Sequence, residues 1–124
     1  MLIVKEFTFD SAHFLPWHEG KCKNLHGHTY KMQVGVRGQL NPNGIVIDFG
    51  DLKNIVNSMV IEKLDHKYLN DIYSNPTAEV MALEIFGNIR PLLKKIGVDL
   101  AFVRLWETPT SFAEATYEDF NYEN

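Results

Sequence analysis

His13, Cys22, His26 and His28 lie within sixteen residues, a stretch that also holds His18 and the only cysteine of the chain. The His26-Gly27-His28 step is the most telling part of it. In an extended strand, side chains alternate between faces, so residues two apart point the same way. Two imidazoles on one face, joined by a third from a neighbouring strand, provide three nitrogens of a tetrahedral metal site. A catalytic zinc is commonly held this way, with a fourth position left open. Copper and iron also accept imidazole. The competing view is a set of histidines hydrogen-bonded at a sheet edge.

Cys22 admits three roles: a fourth ligand that closes the site, an inert thiol, or a base or nucleophile beside the metal. Its flanking Lys21 and Lys23 favour the thiolate. Asp65-His66 pairs a carboxylate with an imidazole, the parts of a proton relay if both meet a third group. As neighbours in sequence they are expected to converge on that group rather than on each other. Glu107 ends a predicted strand before Thr108-Pro109-Thr110. It is either an ordinary strand-end carboxylate or an acceptor for a heterocycle with adjacent N–H and NH₂ donors.

These residues need elements to hold them. Leu2 to His13 alternates, with Phe7, Phe9, Ser11 and His13 on one face and Glu6, Thr8 and Asp10 on the other. His26 to Gln39 alternates as well, so His26, His28, Tyr30, Met32, Val34 and Val36 share a face. The metal-candidate face therefore continues as the apolar face, which places the site at one end of a sheet beside the core. Asp48 reads as a helix N-cap with Asp51 in the first turn. Leu52, Ile55, Val56, Met59 and Val60 form an apolar stripe behind it. Asn75-Pro76 is expected to cap and start a second helix, which Pro91 should kink or break and Gly97 should end. Leu100 to Glu107 and Ser111 to Tyr117 read as a strand pair. Phe49 and Trp106 are expected in the core, Trp17 in a lid or interface, and His18 in solvent.

The expected fold is α+β: one domain over 1–124, in the order ββααββ, with a four-stranded antiparallel sheet carrying both helices on one face. Open sheet edges are a liability unless paired, which points to association.

Composition narrows the function. A chain of 124 residues with 45% hydrophobic and 23% charged residues is that of a globular domain with a core of its own. A net charge of −4 without basic runs argues against nucleic acid. No apolar stretch approaches the ~20 residues that span a bilayer, and the N-terminus lacks the pattern of a signal peptide. The expectation is a cytoplasmic protein with a reduced thiol.

Taken together, six motifs resemble the 6-pyruvoyl-tetrahydropterin synthase superfamily over nearly the whole chain. They are Phe9-Asp-Ser-Ala-His13, Cys22-x3-His26-Gly-His28, Ile47-Asp48-Phe49 with Leu52-Lys53, Leu64-Asp65-His66, Asn75-Pro-Thr-Ala-Glu79 and Glu107-Thr-Pro-Thr110. Three residues separate Cys22 from His26, a spacing similar to that of the 6-carboxytetrahydropterin synthase branch; the 6-pyruvoyl branch has a longer gap. The resemblance implies a T-fold (tunnelling fold) that closes a barrel as a trimer, two trimers stacking into a homo-hexamer with active sites between subunits. It implies a Zn²⁺-dependent lyase acting on 7,8-dihydroneopterin triphosphate in queuosine biosynthesis. His13, His26 and His28 would hold the zinc, Cys22, Asp65 and His66 would move protons, and Glu107 would anchor the pterin.

Two alternatives stand beside it: a 6-pyruvoyl-tetrahydropterin synthase, and a non-catalytic zinc- or pterin-binding module in which Cys22 closes the site. A cupin barrel is disfavoured, because no glutamate follows the His-x-His pair between Thr29 and Val34.

Overall fold

The computed structural model describes residues 1–123. Strands β1 (Leu2–His13) and β2 (His26–Arg37) form a long antiparallel pair. Helix α1 (Phe49–Val56) runs through a π-helical stretch (Asn57–Ile61) into the short α2 (Glu62–Leu64). The two-residue β3 (Lys67–Tyr68) follows, then α3 (Ala78–Lys95), β4 (Asp99–Thr108), β5 (Ser111–Ala115) and α4 (Tyr117–Glu123).

The sheet has five strands in the order β3-β1-β2-β4-β5, one more than expected. β3 pairs parallel with β1 at Ser11↔Lys67 and Ala12↔Tyr68; two residues are too few to leave a periodic signal. The main strands are antiparallel, as their alternation requires.

Register decides the site. Phe9 faces Tyr30, Ser11 faces His28 and His13 faces His26 across β1 and β2. Inner-face side chains Phe7, Phe9, Tyr30, Met32, Val34 and Val36 are buried against Leu52, Val56, Val60 and Leu64 and against Met81, Ile85, Phe86, Ile89 and Leu93 of α3. Such burial stabilises by roughly 25 cal/mol per Å² of apolar surface, which sets the register firmly: a one-residue slip would turn every inner residue outward.

The predicted Asp48 cap is present, its Oδ1 accepting from Gly50 N at 2.6 Å and Asp51 N at 3.4 Å. The cap of α3 is Thr77, two residues later than expected, with Oγ1 accepting from Val80 N at 3.1 Å. Pro91 does not end α3, which runs through it to Lys95. It sits on the exposed side, and the buried residues before and after it outweigh one lost backbone bond. The helix stops before Gly97, whose φ of 87° suits a residue without Cβ. β5 ends at Ala115 rather than Tyr117. Thr116 N and Oγ1 there donate to Asp119 Oδ2 at 3.0 and 2.9 Å, starting the unexpected α4, whose Phe120 packs on Phe86. Phe49 is 54% exposed rather than in the core. No helix among the described residues is long and apolar enough to cross a membrane.

Candidate active site

At the open end of β1 and β2, the inner face passes from Tyr30 to the three histidines. Ligand atoms of His13, His26, His28 and Glu107 all lie within 4.8 Å of one another. His13 is fully buried. Its Nε2 is 3.0 Å from His26 Nε2 and 3.1 Å from Glu107 Oε1, and His28 Nε2 is 3.3 Å from the same oxygen. Glu107 arrives from the end of β4.

Backbone carbonyls set the tautomers. His13 Nδ1 is 2.8 Å from Pro76 O, and His26 Nδ1 is 2.7 Å from Asn24 O. A carbonyl only accepts, so each Nδ1 carries the proton and each Nε2 is turned inward to the cluster. His28 Nε2 is a buried atom with no hydrogen-bond partner among the described residues; Glu107 is near it but not aligned. Three imidazole nitrogens converging under these constraints suit a cation, and second-shell carbonyls of this kind are what orient metal-bound histidines.

Charge is distributed accordingly. Burial lowers the His13 pKa, but the hydrogen bond to Glu107, the Pro76 carbonyl and the Glu107 charge outweigh it and raise the ring above its ordinary 6.5. Burial lowers His28, Glu107 opposes, and His13 and His26 push it further down. The His13 hydrogen bond leads in holding Glu107 below the usual carboxylate range, against its burial, with the neighbouring imidazoles adding to it. Burial first, and the Glu107 charge second, push the Tyr30 hydroxyl well up; it stands 3.4 Å from His13 Nδ1.

Cys22 sits half-buried in a 3₁₀ turn (Lys21–Lys23) and contributes no atom to this cluster. Its loop is tied down on both sides. Leu15 N donates to Cys22 O at 2.7 Å. Asn70 holds the Phe14 backbone twice, each bond 2.9 Å. Trp17, 60% exposed, donates its indole N–H to Asn75 Oδ1 at 2.8 Å. His18 is half-buried rather than free in solvent, its Nδ1 accepting from Gly20 N at 2.9 Å.

Asp65 and His66 form a second group with Asp10, at the β3 edge. Contrary to expectation the neighbours touch each other: His66 Nδ1 is 3.0 Å from Asp65 Oδ1. A φ of 57° at His66, the one positive value at a non-glycine described residue, makes this possible. Asp10 grips both, its N–H donating to Asp65 Oδ1 at 2.9 Å and its carbonyl accepting from His66 N at 2.6 Å. The Asp10 N–H leads in lowering the Asp65 pKa, a little burial opposes it, and His66 adds to it.

Sequence reasoning did not find Asp10 as a partner of this pair, though it lies inside Phe9-Asp-Ser-Ala-His13. Nor did it find the carbonyls of Pro76 and Asn24, which carry no side-chain signal. A hollow of about 460 Å³ between the ends of β2 and β4 is lined by Gly27, His28, Lys31, Trp106, Glu107 and Thr108 among others, but not by His13 or His26.

The family model described as 6-pyruvoyl tetrahydropterin synthase matches residues 2–118. The chain belongs to this family. Its relatives include the 6-carboxy-5,6,7,8-tetrahydropterin synthase of Haemophilus influenzae, 39% identical over 90% of this chain and 96% of that protein. The dihydroneopterin monophosphate aldolase of Pyrococcus furiosus is 41% identical over 85% of this chain and 88% of that one. The solved 6-pyruvoyl tetrahydropterin synthase of Caenorhabditis elegans superposes with a TM-score of 0.81 at 26% identity, covering 94% of each chain. The sheet and helices described above are thus the T-fold of the 6-pyruvoyl tetrahydropterin synthase family.

Proposed function

We propose that this chain is a zinc-dependent lyase converting 7,8-dihydroneopterin triphosphate to 6-carboxy-5,6,7,8-tetrahydropterin, acetaldehyde and triphosphate, within queuosine (7-deazaguanine) biosynthesis. One observation carries the reading: three Nε2 atoms converge beside an ionised glutamate, two of them held in the ligating tautomer by backbone carbonyls. Relatives bearing the 6-carboxytetrahydropterin synthase name support the branch.

His13, His26 and His28 would hold the zinc. Bound there, it would act as a Lewis acid on the side-chain oxygens of the substrate and acidify the neighbouring C–H. Cys22, as thiolate, takes and returns the proton. Asp65 holds His66 through Nδ1, which leaves Nε2 to exchange protons with substrate or solvent. Glu107, kept ionised by the imidazoles around it, accepts from the ring N–H donors of the pterin.

Cys22 and the Asp65–His66 pair are not in one cluster within the chain. We assign them to sites shared between subunits of a cytoplasmic hexamer, a dimer of trimers. The two outer strands, β3 and β5, are the free edges that such closure would pair.

The Pyrococcus relative supports a second reading, carbon–carbon cleavage of a monophosphate ester. The 6-pyruvoyl reaction, which retains the three-carbon side chain, is a third. One assay separates them: incubation with zinc and either dihydroneopterin phosphate ester, followed by mass analysis. The 6-carboxy product with acetaldehyde is expected from the triphosphate; its absence under every metal condition would overturn the assignment.

A further inference from the structure

We infer that Asn70 is a positioning residue: its carboxamide fixes the limb of chain that joins the metal ligand His13 to the Cys22 loop, and so sets where the thiol stands relative to the three imidazoles. This rests on the reading of Cys22 as proton carrier given above, and it names the group outside the hairpin that keeps the thiol in place.

Strand β1 ends at His13 and β2 begins at His26, so residues 14–25 form a loop between two ligands. The β2 side of this loop is held by a ligand itself, because His26 Nδ1 donates to Asn24 O at 2.7 Å. On the β1 side, His13 Nδ1 goes to the distant Pro76 carbonyl instead, so the loop needs another hold. Phe14 has left the β1–β2 ladder, and its N–H and carbonyl require partners. One carboxamide carries both an acceptor and a donor. Asn70 uses them together: the Phe14 N–H donates to Oδ1, and Nδ2 donates to the Phe14 carbonyl, each at 2.9 Å. β3 pairs with β1 at Ser11 and Ala12, and Asn70 extends that edge to Phe14 by a side chain. The Phe14 ring lies parallel to that of Tyr68, 6.2 Å between centres and 6° apart in plane. Backbone and ring are thus gripped from the same segment.

Phe14 stands between two residues of consequence. His13 precedes it, in the metal cluster. Leu15 follows it, buried, with its N–H on the Cys22 carbonyl at 2.7 Å. Leu15 and Cys22 therefore form the neck of the loop, and Asn70 holds the residue from which the neck springs. Without this clamp the Phe14–Leu15 backbone is free to turn while both strands keep their ladder, and Cys22 moves with it. The histidines retain their own carbonyl partners. Asn70 thus governs the placement of the thiol and not the holding of the metal. A misplacement of about 1 Å is enough to slow catalysis about a hundredfold.

Asn70→Ala removes both bonds. Asn70→Asp keeps the shape of the side chain but sets an oxygen against the Phe14 carbonyl, so it should behave like Asn70→Ala. Cys22 is the only cysteine and is half-buried, so alkylation of the zinc-loaded protein by iodoacetamide reads the loop directly. The rate is expected to rise about tenfold in both variants, the open population gained when one or two net hydrogen bonds are lost. The kcat for 7,8-dihydroneopterin triphosphate should fall by about ten- to a hundredfold, with KM and zinc content unchanged. Asp48→Ala, which weakens the cap of α1, is the control for general loosening and should alkylate at the wild-type rate. An unchanged or slower rate in Asn70→Ala would overturn the inference. So would a rise confined to Asn70→Ala, which would assign the effect to packing, an equal rise in Asp48→Ala, or zinc lost in step with the thiol. If the wild-type protein does not turn over the triphosphate yet alkylation depends on Asn70, the clamp stands and the reaction assignment falls.

Discussion

His13 Nδ1 donates to the carbonyl of Pro76 at 2.8 Å, across 63 residues of chain. Through this bond the turn that leads into α3 sets the tautomer of a buried imidazole on β1. His13→Ala should therefore cost stability as well as metal: about 2–3 kcal/mol for a lost buried ring and an orphaned carbonyl. His28, half-buried and without a hydrogen-bond partner on Nε2, should lose metal with a smaller stability cost. Elemental analysis and urea unfolding of the two variants check the contrast; zinc kept at the wild-type level in either would contradict the assignment of these ligands.

Metal should stabilise the fold. At a free zinc concentration a hundredfold above Kd, binding adds about 2.7 kcal/mol, which for a domain of this size is a rise of roughly 10 °C in Tm. Chelation followed by zinc add-back, monitored by calorimetry, should lower and restore that transition. A Tm indifferent to zinc would mean that the histidines hold each other and no ion.

Cys22 contributes no atom to the histidine cluster, so Cys22→Ala should retain its zinc. Turnover should fall by about 10²–10⁴, the range of a general acid–base group. Loss of metal together with unfolding would instead make the thiol a structural ligand.

Asp65 links the site to pH. Its carboxyl lies below the ordinary 3.8, chiefly because the Asp10 N–H donates to it, with burial opposing and His66 assisting. A depressed carboxyl contributes stability above its unfolded pKa and loses it as pH falls through the folded value. The stability gap between wild type and Asp65→Asn should hence be fully present at pH 5. It should shrink below about 3.8. Urea unfolding across that range gives the answer, and a gap that grows on acidification would reverse the sign.

The two helix caps offer a control for distance effects. Asp48→Ala and Thr77→Ala should each cost about 1 kcal/mol. Only Thr77 adjoins Pro76, so only Thr77→Ala should also weaken metal binding, through His13. Zinc affinities that fall equally in both variants would show that global loosening, not the Pro76 carbonyl, is responsible.

Much of this protein was legible in the order of its residues. Period-two alternation put His13, His26 and His28 on the face that continues into Phe9, Tyr30 and Met32, and burial of that face leaves a single register open to the strands. The Asp48 cap, the apolar stripe of α1 and the stop at Gly97 are local chemistry and were readable as such. Other features depended on contacts between distant segments. Pro91 remained inside α3 because tertiary burial outweighed one missing hydrogen bond. β3 exists only because Ser11 and Ala12 offer a backbone edge to Lys67 and Tyr68. The contact between Asp65 and His66 needs a left-handed backbone that no side-chain pattern announces. Residue types and spacing therefore determined which groups can do chemistry and which face they share. Tertiary structure decided their protonation and company, because the groups responsible include the Pro76 carbonyl and the Asp10 N–H, which carry no side-chain signal, and the Glu107 carboxylate, all of which reach these residues only across distant segments of the chain.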